Sequence, residues 1–195
     1  MQSSRSTCCN MGISLAFPVN EGLGLLLLAL STPHLLYFFT WTCTGAFTRI
    51  AKAVGVEAFA LFYKLSVLLK FVQLGALVTW GMQYMPPMKV ASIPPLQVVV
   101  GLGMFGAGQI LNMGVYTALG KEGVYYGVRL GKPIAWYEGF PFTVVPHPQY
   151  VGCVLCIWGV VAVLLNQANI DAGLLTIASA WSTFYCVTGL IEHHF

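Results

Sequence analysis

Apolar stretches of about 20 residues recur along this chain, and they constrain its fold more than any other feature. A helix of about that length crosses a hydrocarbon core about 30 Å thick. Within the stretches, apolar residues follow one another without the alternation typical of a transmembrane β-strand. Their approximate limits are residues 22–43, 57–84, 96–119, 147–166 and 172–191. We therefore predict an all-α fold, a polytopic membrane helix bundle of four to five transmembrane helices that ends in a C-terminal helical hairpin.

Charged residues are scarce, since 8% of the 195 residues are charged and 57% are hydrophobic. Soluble domains carry about 25% charged residues, so most of this surface cannot face water. The net charge of +3 is too small to indicate a nucleic-acid partner, and no obligate protein partner is indicated. We expect residues 1–11 to be disordered and residues 12–195 to form a single membrane-embedded domain.

The cysteines indicate neither a disulfide framework nor a metal site. Four of the six lie in apolar segments. Cys153 and Cys156 form a C-x-x-C on consecutive turns of a predicted membrane helix, but no second pair or nearby histidine cluster completes a metal site. We therefore predict no bound metal.

The basic residues predict the orientation of the bundle. With five spans, the first and third connections and the C-terminus share one side of the membrane. Arg5 and Lys89 lie on the other side, whereas the shared side carries Arg49, Lys52, Lys121, Arg129 and Lys132. Because cytoplasmic loops are enriched in Lys and Arg, we expect the shared side to face the cytosol. A four-span chain with a re-entrant fourth segment would place Glu192 opposite the 120–146 loop, and we prefer five.

The residues that predict function are concentrated between Gly106 and Gly152. The stretch reads GAGQILNMGVYTALGKEGVYYGVRLGKPIAWYEGFPFTVVPHPQYVG. Gln109, Asn112 and Tyr116 recur at i, i+3 and i+7, which gives a polar stripe that a lipid-facing helix would not carry. The glycines here permit either close helix packing, as in Gly103-x-x-x-Ala107, or contact of a cofactor with bare backbone. The polar stripe favours the second interpretation.

Other polar residues lie inside the predicted spans. Lys70 shares a helix face with Ser66 and Gln73, and a functional role and simple snorkelling account for it about equally well. His34 fits a packed or interfacial side chain better than a ligand. On the last helix one face carries Ser182, Tyr185, Gly189 and Glu192.

The motifs in this region resemble those of the phospholipid N-methyltransferases, the phosphatidylethanolamine methyltransferase family. They are most similar to its plant-type phosphatidyl-N-methylethanolamine N-methyltransferases. The similarity is dense in FGAGQILNMGVYTALGKEGVYYGVRLGK and FPFTVVPHPQYVG, about a quarter of the chain. Elsewhere it is limited to the hydropathy pattern and the order of helices.

The resemblance implies a cofactor, S-adenosyl-L-methionine. In the family, a G-x-G in the third helix and a His/Asn-Pro-x-Tyr-x-Gly motif form two walls of its pocket, and glutamate near the end of the last helix completes it. Plant-type members carry one glutamate there, as this chain does, whereas animal and fungal members carry two. The corresponding residues are Gly106, Gly108, His147, Pro148, Tyr150, Gly152 and Glu192. We expect Gly108, His147 and Glu192 to surround one interfacial cofactor pocket.

Elementary chemistry agrees with these roles. Methyl transfer depends mainly on positioning the two reactants. The Glu192 carboxylate suits the cofactor's ammonium, and aromatic faces such as that of Tyr126 suit its sulfonium. Gln109 and Asn112 complete the predicted cofactor-binding set.

The acceptor amine requires a catalytic base and its phosphate requires a cation. His147 and Glu192 are both candidates for the base. Arg129 and Lys132 suit the phosphate of a lipid substrate, although membrane topology alone also accounts for Lys132.

The predicted function is thus an integral membrane methyltransferase, implied by the resemblance to act at the endoplasmic reticulum with its active site facing the cytosol. It would methylate phosphatidyl-N-methylethanolamine and phosphatidyl-N,N-dimethylethanolamine in the bilayer to give phosphatidylcholine. Isoprenylcysteine carboxyl methyltransferases share the His-Pro-x-Tyr-x-Gly motif and the terminal glutamate. Further alternatives are a membrane reductase related to the sterol reductases and a non-catalytic membrane scaffold.

Overall fold

The computed structural model describes residues 21–135 and 137–194, so the predicted disordered segment 1–11 lies outside the described residues. The described residues contain no strand, which confirms the all-α class. A short 3₁₀-helix covers Val90–Ser92. The α-helices are α1 (Glu21–Thr42), α2 (Thr44–Ala53), α3 (Ala58–Tyr84), α4 (Pro95–Val124), α5 (Pro148–Leu164), α6 (Gln167–Ala172) and α7 (Leu174–His194).

Four of these helices, α1, α3, α4 and α7, are long and apolar enough to cross a membrane. Helix α5 is shorter, with 17 residues. It runs antiparallel to α4, because Gly101 faces Gly159 while Gly108 faces Gly152. It is also antiparallel to α7, since Trp158 donates to Ser182 at 3.0 Å and Tyr150 lies against Gly189. The last turns of α4 and α7 therefore lie at the same end of the bundle as the start of α5.

Proline and glycine mark the helix boundaries that the apolar pattern leaves open. Pro95 and Pro148 occupy the first positions of α4 and α5, where a missing backbone N–H has no cost. Gly120 has a φ of 63°, which breaks the regular helix inside α4, and residues other than glycine rarely adopt this conformation. Gly173, with a φ of 114°, separates α6 from α7. Gly120 therefore kinks the end of α4, and Gly173 marks the turn of the C-terminal hairpin.

Helices α2 and α6 are short and lie in the connections that join α1 to α3 and α5 to α7. Helix α2 is amphipathic: Phe47 and Ala51 are buried, whereas Arg49 and Lys52 are exposed. Such a helix suits the interface between a bundle and the headgroups. Helix α6 is capped by the side chain of Asn166, which accepts from the backbone N–H of Asn169 at 2.9 Å.

Helices α4 and α5 approach each other through glycine. A Cβ at Gly101 would lie 2.7 Å from the Gly159 carbonyl oxygen, and one at Gly108 would lie 2.5 Å from that of Gly152. Small residues allow such backbone contact between membrane helices. The alternative interpretation of Gly103-x-x-x-Ala107 as a close-packing motif finds no support at Gly103, because a Cβ there would meet nothing within 4 Å.

Helices α1, α3 and α7 share a second region of packing. Leu26, Leu30, Trp80 and Ile177 are buried together. His34 is buried here as well, and its Nδ1 is hydrogen-bonded to Thr188 Oγ1 at 2.9 Å. The prediction that His34 is a packed side chain is confirmed.

Candidate active site

The end of α7 carries a carboxylate that two tyrosines hold in place. Tyr126, which follows α4, and Tyr150, in the first turn of α5, both donate their hydroxyl groups to Oε1 of Glu192. Among the described residues the second oxygen, Oε2, has no hydrogen-bond partner. The segment after α4, the start of α5 and the end of α7 therefore converge on one carboxylate, with one oxygen available for a ligand.

Tyr126 is fixed by its backbone and by aromatic contacts. Its φ is 56°, so its side chain points away from the path of α4. The ring stacks on Phe62 with centroids 5.0 Å apart and meets the edge of Trp41 at the same distance. Burial raises the pKa of Tyr126 well above its usual value, and the Glu192 charge raises it further. The hydroxyl therefore remains a proton donor to Glu192 at physiological pH.

A cavity of about 280 Å³ opens beside this carboxylate, and we refer to it as the Glu192 cavity. Its polar and aromatic lining includes Trp41, Tyr126, Arg129, His147, Tyr150 and Glu192. His147 precedes α5 with a φ of 51°, and its exposed ring stacks on Tyr150 with centroids 6.2 Å apart. Pro148 is buried beneath it and also lines the cavity. This motif thus presents an imidazole to a space that already contains a carboxylate.

The two cations predicted to bind phosphate lie in different surroundings. The Arg129 guanidinium lies 4.0 Å from the centroid of the Trp41 ring and lines the Glu192 cavity. Lys132 forms an ion pair with Glu57 at 2.5 Å and lies over the Phe59 ring. The structure therefore brings Arg129 to the site, whereas Lys132 connects the loop to the start of α3.

The two predicted cofactor-binding glycines are not among the residues that line the Glu192 cavity. The expectation that Gly108 shares one cavity with His147 and Glu192 is wrong, because the backbone of α5 fills the space beside Gly108. A Cβ at Gly106 would meet nothing within 4 Å. The structure accounts for Gly108 by helix packing, and contact of either glycine with a cofactor stays a prediction.

A second cavity of about 260 Å³ lies deeper in the bundle, and we refer to it as the tyrosine chamber. Tyr126 and Tyr150 line both it and the Glu192 cavity. Asn112 lies on its wall, as does the pair Tyr116 and Tyr125, whose hydroxyl groups are 2.9 Å apart. The remaining lining residues are Tyr37, Phe62, Lys70, Val124, Gln149, Cys153 and Tyr185.

A third cavity of about 530 Å³ lies between α3 and α4, with α5 and α7 as its floor. We refer to it as the apolar groove, since nearly all its lining side chains are apolar. Asn112, Cys153 and Tyr185 line both the groove and the tyrosine chamber, which makes the two spaces adjacent. Gln109 faces the groove. The predicted stripe of Gln109, Asn112 and Tyr116 is thus divided between two cavities.

Three aromatic residues of this site were not predicted. Tyr37 and Trp41 near the end of α1 and Phe62 near the start of α3 surround Tyr126. Their signal in the sequence is modest. They are aromatic residues at the ends of two predicted spans, and the predicted topology places these ends on the same side of the membrane as the 120–146 loop. Aromatic residues are common at membrane interfaces, so position alone could not assign them to a site.

The comparison with known families follows this geometry. A family model described as phospholipid methyltransferase matches residues 96–195, more than half of the chain. The chain belongs to the phospholipid methyltransferase family. The matched region contains α4 from Leu96 onward, the tyrosines that hold Glu192, and Glu192 itself.

One curated relative is the phosphatidyl-N-methylethanolamine N-methyltransferase of Arabidopsis thaliana. It is 56% identical to this chain over 48 residues, which are 25% of this chain and 29% of the relative. The match thus spans less than a third of that relative. No solved structure shows a significant match to the chain.

Proposed function

We propose that this chain is an S-adenosyl-L-methionine-dependent methyltransferase that methylates phosphatidyl-N-methylethanolamine and phosphatidyl-N,N-dimethylethanolamine to give phosphatidylcholine. Two findings support this activity: membership of the phospholipid methyltransferase family and 56% sequence identity to the Arabidopsis enzyme over 48 residues. The observation that carries the proposal is the convergence of Tyr126 and Tyr150 on Glu192 at the edge of a cavity.

The residues around the Glu192 cavity fit the cofactor. Oε2 of Glu192 can accept from an α-ammonium, while the two tyrosines keep the carboxylate oriented through Oε1. Aromatic rings beside it suit a sulfonium by cation–π attraction. We propose that Glu192, Tyr126, Tyr150, His147 and Pro148 hold the cofactor. Gly106, Gly108, Gln109 and Asn112 remain candidates from the sequence.

The cofactor supplies, when bound, an electrophilic methyl group on a sulfonium. The amine of the lipid, which is protonated at neutral pH, would have to lose its proton before its lone pair could accept that methyl group. We propose His147 as the base, because its ring is exposed at the cavity, whereas Glu192 accepts two hydroxyl groups at Oε1 and is proposed to hold the cofactor ammonium at Oε2. Arg129 stays a candidate for the substrate phosphate, and Lys132 a weaker one because of its ion pair.

The same end of the bundle suggests the location of the reaction. The exposed cations of α2, Arg49 and Lys52, lie there together with Lys121 and Arg129, as the positive-inside rule expects of a cytosolic face. We therefore propose an integral membrane enzyme whose active site faces the cytosol, in the endoplasmic reticulum.

One assay tests this function directly. Membranes that contain the chain would receive cofactor labelled in its methyl group and ethanolamine phospholipids with zero, one or two N-methyl groups. We expect label in the lipids that start with one or two methyl groups, and none with membranes that lack the chain. Transfer to a prenylcysteine substrate instead would favour the carboxyl methyltransferase alternative. Transfer to neither substrate would contradict the proposal.

A further inference from the structure

A lysine inside the bundle projects into the tyrosine chamber. Lys70 lies on α3, and its Nζ donates to Tyr185 Oη at 2.8 Å and to Gln73 Oε1 at 3.2 Å. Both partners are neutral side chains, and Nζ also lies 5.0 Å from the centroid of the Tyr185 ring. The contact with Gln73 confirms that the two residues share a helix face, and Tyr185 adds a partner from α7.

No anion compensates this ammonium within the described residues. Lys70 forms no ion pair there, and the residues that line the tyrosine chamber include no carboxylate. An ionisable side chain within a membrane span is costly, and it usually pairs with another group or marks a pathway for substrate. Lys70 is therefore the one basic side chain among the residues that line this cavity, and it has no carboxylate partner there.

The three cavities follow the same order along two helices. On α7, residues from Leu174 to Tyr185 line the apolar groove. Tyr185 also lines the tyrosine chamber, and Glu192 lines the Glu192 cavity. On α5, the apolar groove extends from Leu164 to Cys153. The tyrosine chamber and then the Glu192 cavity follow along the helix towards His147. A ligand along this path meets apolar walls, then one cation, then tyrosines, and finally the carboxylate.

This order matches the parts of an amine phospholipid. We propose that the Lys70 ammonium binds the phosphate of the acceptor lipid, with its acyl chains in the apolar groove and its amine directed towards Tyr126 and Tyr150. The inference rests on the proposed methyltransferase function and assigns its lipid subsite. It prefers Lys70 to the two candidates from the sequence, because Lys132 is paired with Glu57 and Arg129 lines the Glu192 cavity rather than the chamber.

The first experiment removes the charge of Lys70. In Lys70→Met the KM for phosphatidyl-N-methylethanolamine should rise about 10- to 100-fold, the value of a hydrogen bond to a charged group. The KM for S-adenosyl-L-methionine should stay within about twofold, and Lys70→Arg should restore most of the lipid affinity. The matched control is Lys64→Met on the same helix, since Lys64 is exposed and does not line the chamber.

The second experiment asks whether Lys70 recognises the phosphate itself. Wild type should prefer the phosphate-containing acceptor over an analogue with an uncharged linker by about 10- to 100-fold in kcat/KM. Lys70→Met should lose this preference. An unchanged preference in Lys70→Met, or an equal loss in Lys64→Met, would overturn the proposal.

The third experiment needs no catalysis. A phospholipid with a photoreactive group on its acyl chain should label groove residues of the wild-type protein in vesicles, on α3 and α4. Val78→Trp should reduce this labelling at least several-fold. Val72→Trp should not, because Val72 is similarly exposed, 48% against 52%, but lies outside the groove.

These outcomes separate the two proposals. Groove labelling without methyl transfer by the wild type would overturn the function and leave the lipid subsite standing. Methyl transfer with labelling confined to other faces of the bundle would overturn the subsite and leave the function standing.

Discussion

The two sides of α4 differ in how they meet their neighbours. Towards α5, Gly101 and Gly108 bring the two backbones into contact, with no space for even one methyl group. Towards α3, the apolar groove separates the helices, and Asn112 faces this groove and the tyrosine chamber. One helix thus combines a rigid contact with an open wall.

The difference separates scaffold from chemistry. The glycine contact holds α5, and with it His147 and Tyr150, at a fixed position relative to α4. The groups with reactive or charged side chains, Lys70 and Glu192, lie around the open cavities instead. Changes on the glycine side should therefore act through stability, whereas changes on the cavity side should act through binding and turnover.

The largest effect is expected from Glu192→Gln. Glutamine can still accept both tyrosine hydroxyl groups, so the geometry is kept while the negative charge is lost. We expect kcat/KM for the cofactor to fall about 100-fold, of the order of a lost charge-assisted hydrogen bond, with little change in melting temperature. Steady-state kinetics with varied cofactor measure the first quantity, and thermal unfolding in detergent measures the second.

The control for this variant is Asp171→Asn. Asp171 accepts from Gln167 at 2.8 Å on α6, in the connection that joins α5 to α7 at the other end of the bundle. The same change of carboxylate to amide there should leave the kinetics unchanged. Near-normal activity in Glu192→Gln would show that the Glu192 cavity is not the cofactor site.

The second effect concerns the glycine side. Gly108→Ala places a methyl group 2.5 Å from the Gly152 carbonyl oxygen, and overpacking of this kind costs about 1–3 kcal/mol. Gly103→Ala adds the same atom in open space and should be neutral or stabilising by up to about 1 kcal/mol, since alanine favours helix more than glycine does. Thermal unfolding of the two variants gives the comparison.

This pair also tests the role that the resemblance implies for Gly108. If Gly108 serves packing alone, the folded fraction of Gly108→Ala should bind the cofactor with normal affinity. A raised cofactor KM with an unchanged melting temperature would show instead that the glycine contacts the cofactor. That result would contradict the assignment of the α5-facing side of α4 to packing alone.

Much of the fold could be predicted, because the length and hydropathy of a membrane span are local properties. The end of α1 and both limits of α3 lie within a residue of the predicted ones. The face of Ser182, Tyr185, Gly189 and Glu192 was also predictable from helical periodicity, and all four residues contact neighbouring elements there.

The assignment of residues to cavities could not be predicted in the same way. Whether Gly103 or Gly108 faces α5 depends on the rotation of α4 about its axis, which packing with other helices determines. Lys70 and Tyr185 are 115 residues apart, so no local pattern pairs them. The motifs identified the Glu192 end of the site, whereas the tyrosine chamber depends on contacts between distant helices.

The third effect is smaller and concerns the two tyrosines. Tyr150→Phe removes one of two donors to Glu192 and leaves Tyr126 in place, so we expect about a fivefold loss in kcat/KM, near the value of a single hydrogen bond. Tyr126→Phe should behave similarly. The double variant should lose more than the product of the two, because the carboxylate is then unsupported. The matched control is Tyr84→Phe, at the opposite end of the bundle. An equal loss of kcat/KM in this variant would contradict a specific role for Tyr126 and Tyr150.

The smallest effect is expected from Lys132→Met. Lys132 pairs with Glu57 at a partly exposed position, where an ion pair contributes about 0–1 kcal/mol. If it serves only to anchor the loop, Lys132→Met and Glu57→Gln should each lower stability slightly, and the double variant should lose no more than either one. A double-mutant cycle on melting temperature, with lipid KM measured in parallel, checks this. An increase in lipid KM for Lys132→Met but not for Glu57→Gln would instead assign Lys132 to the substrate phosphate, and it would place part of lipid recognition outside the tyrosine chamber.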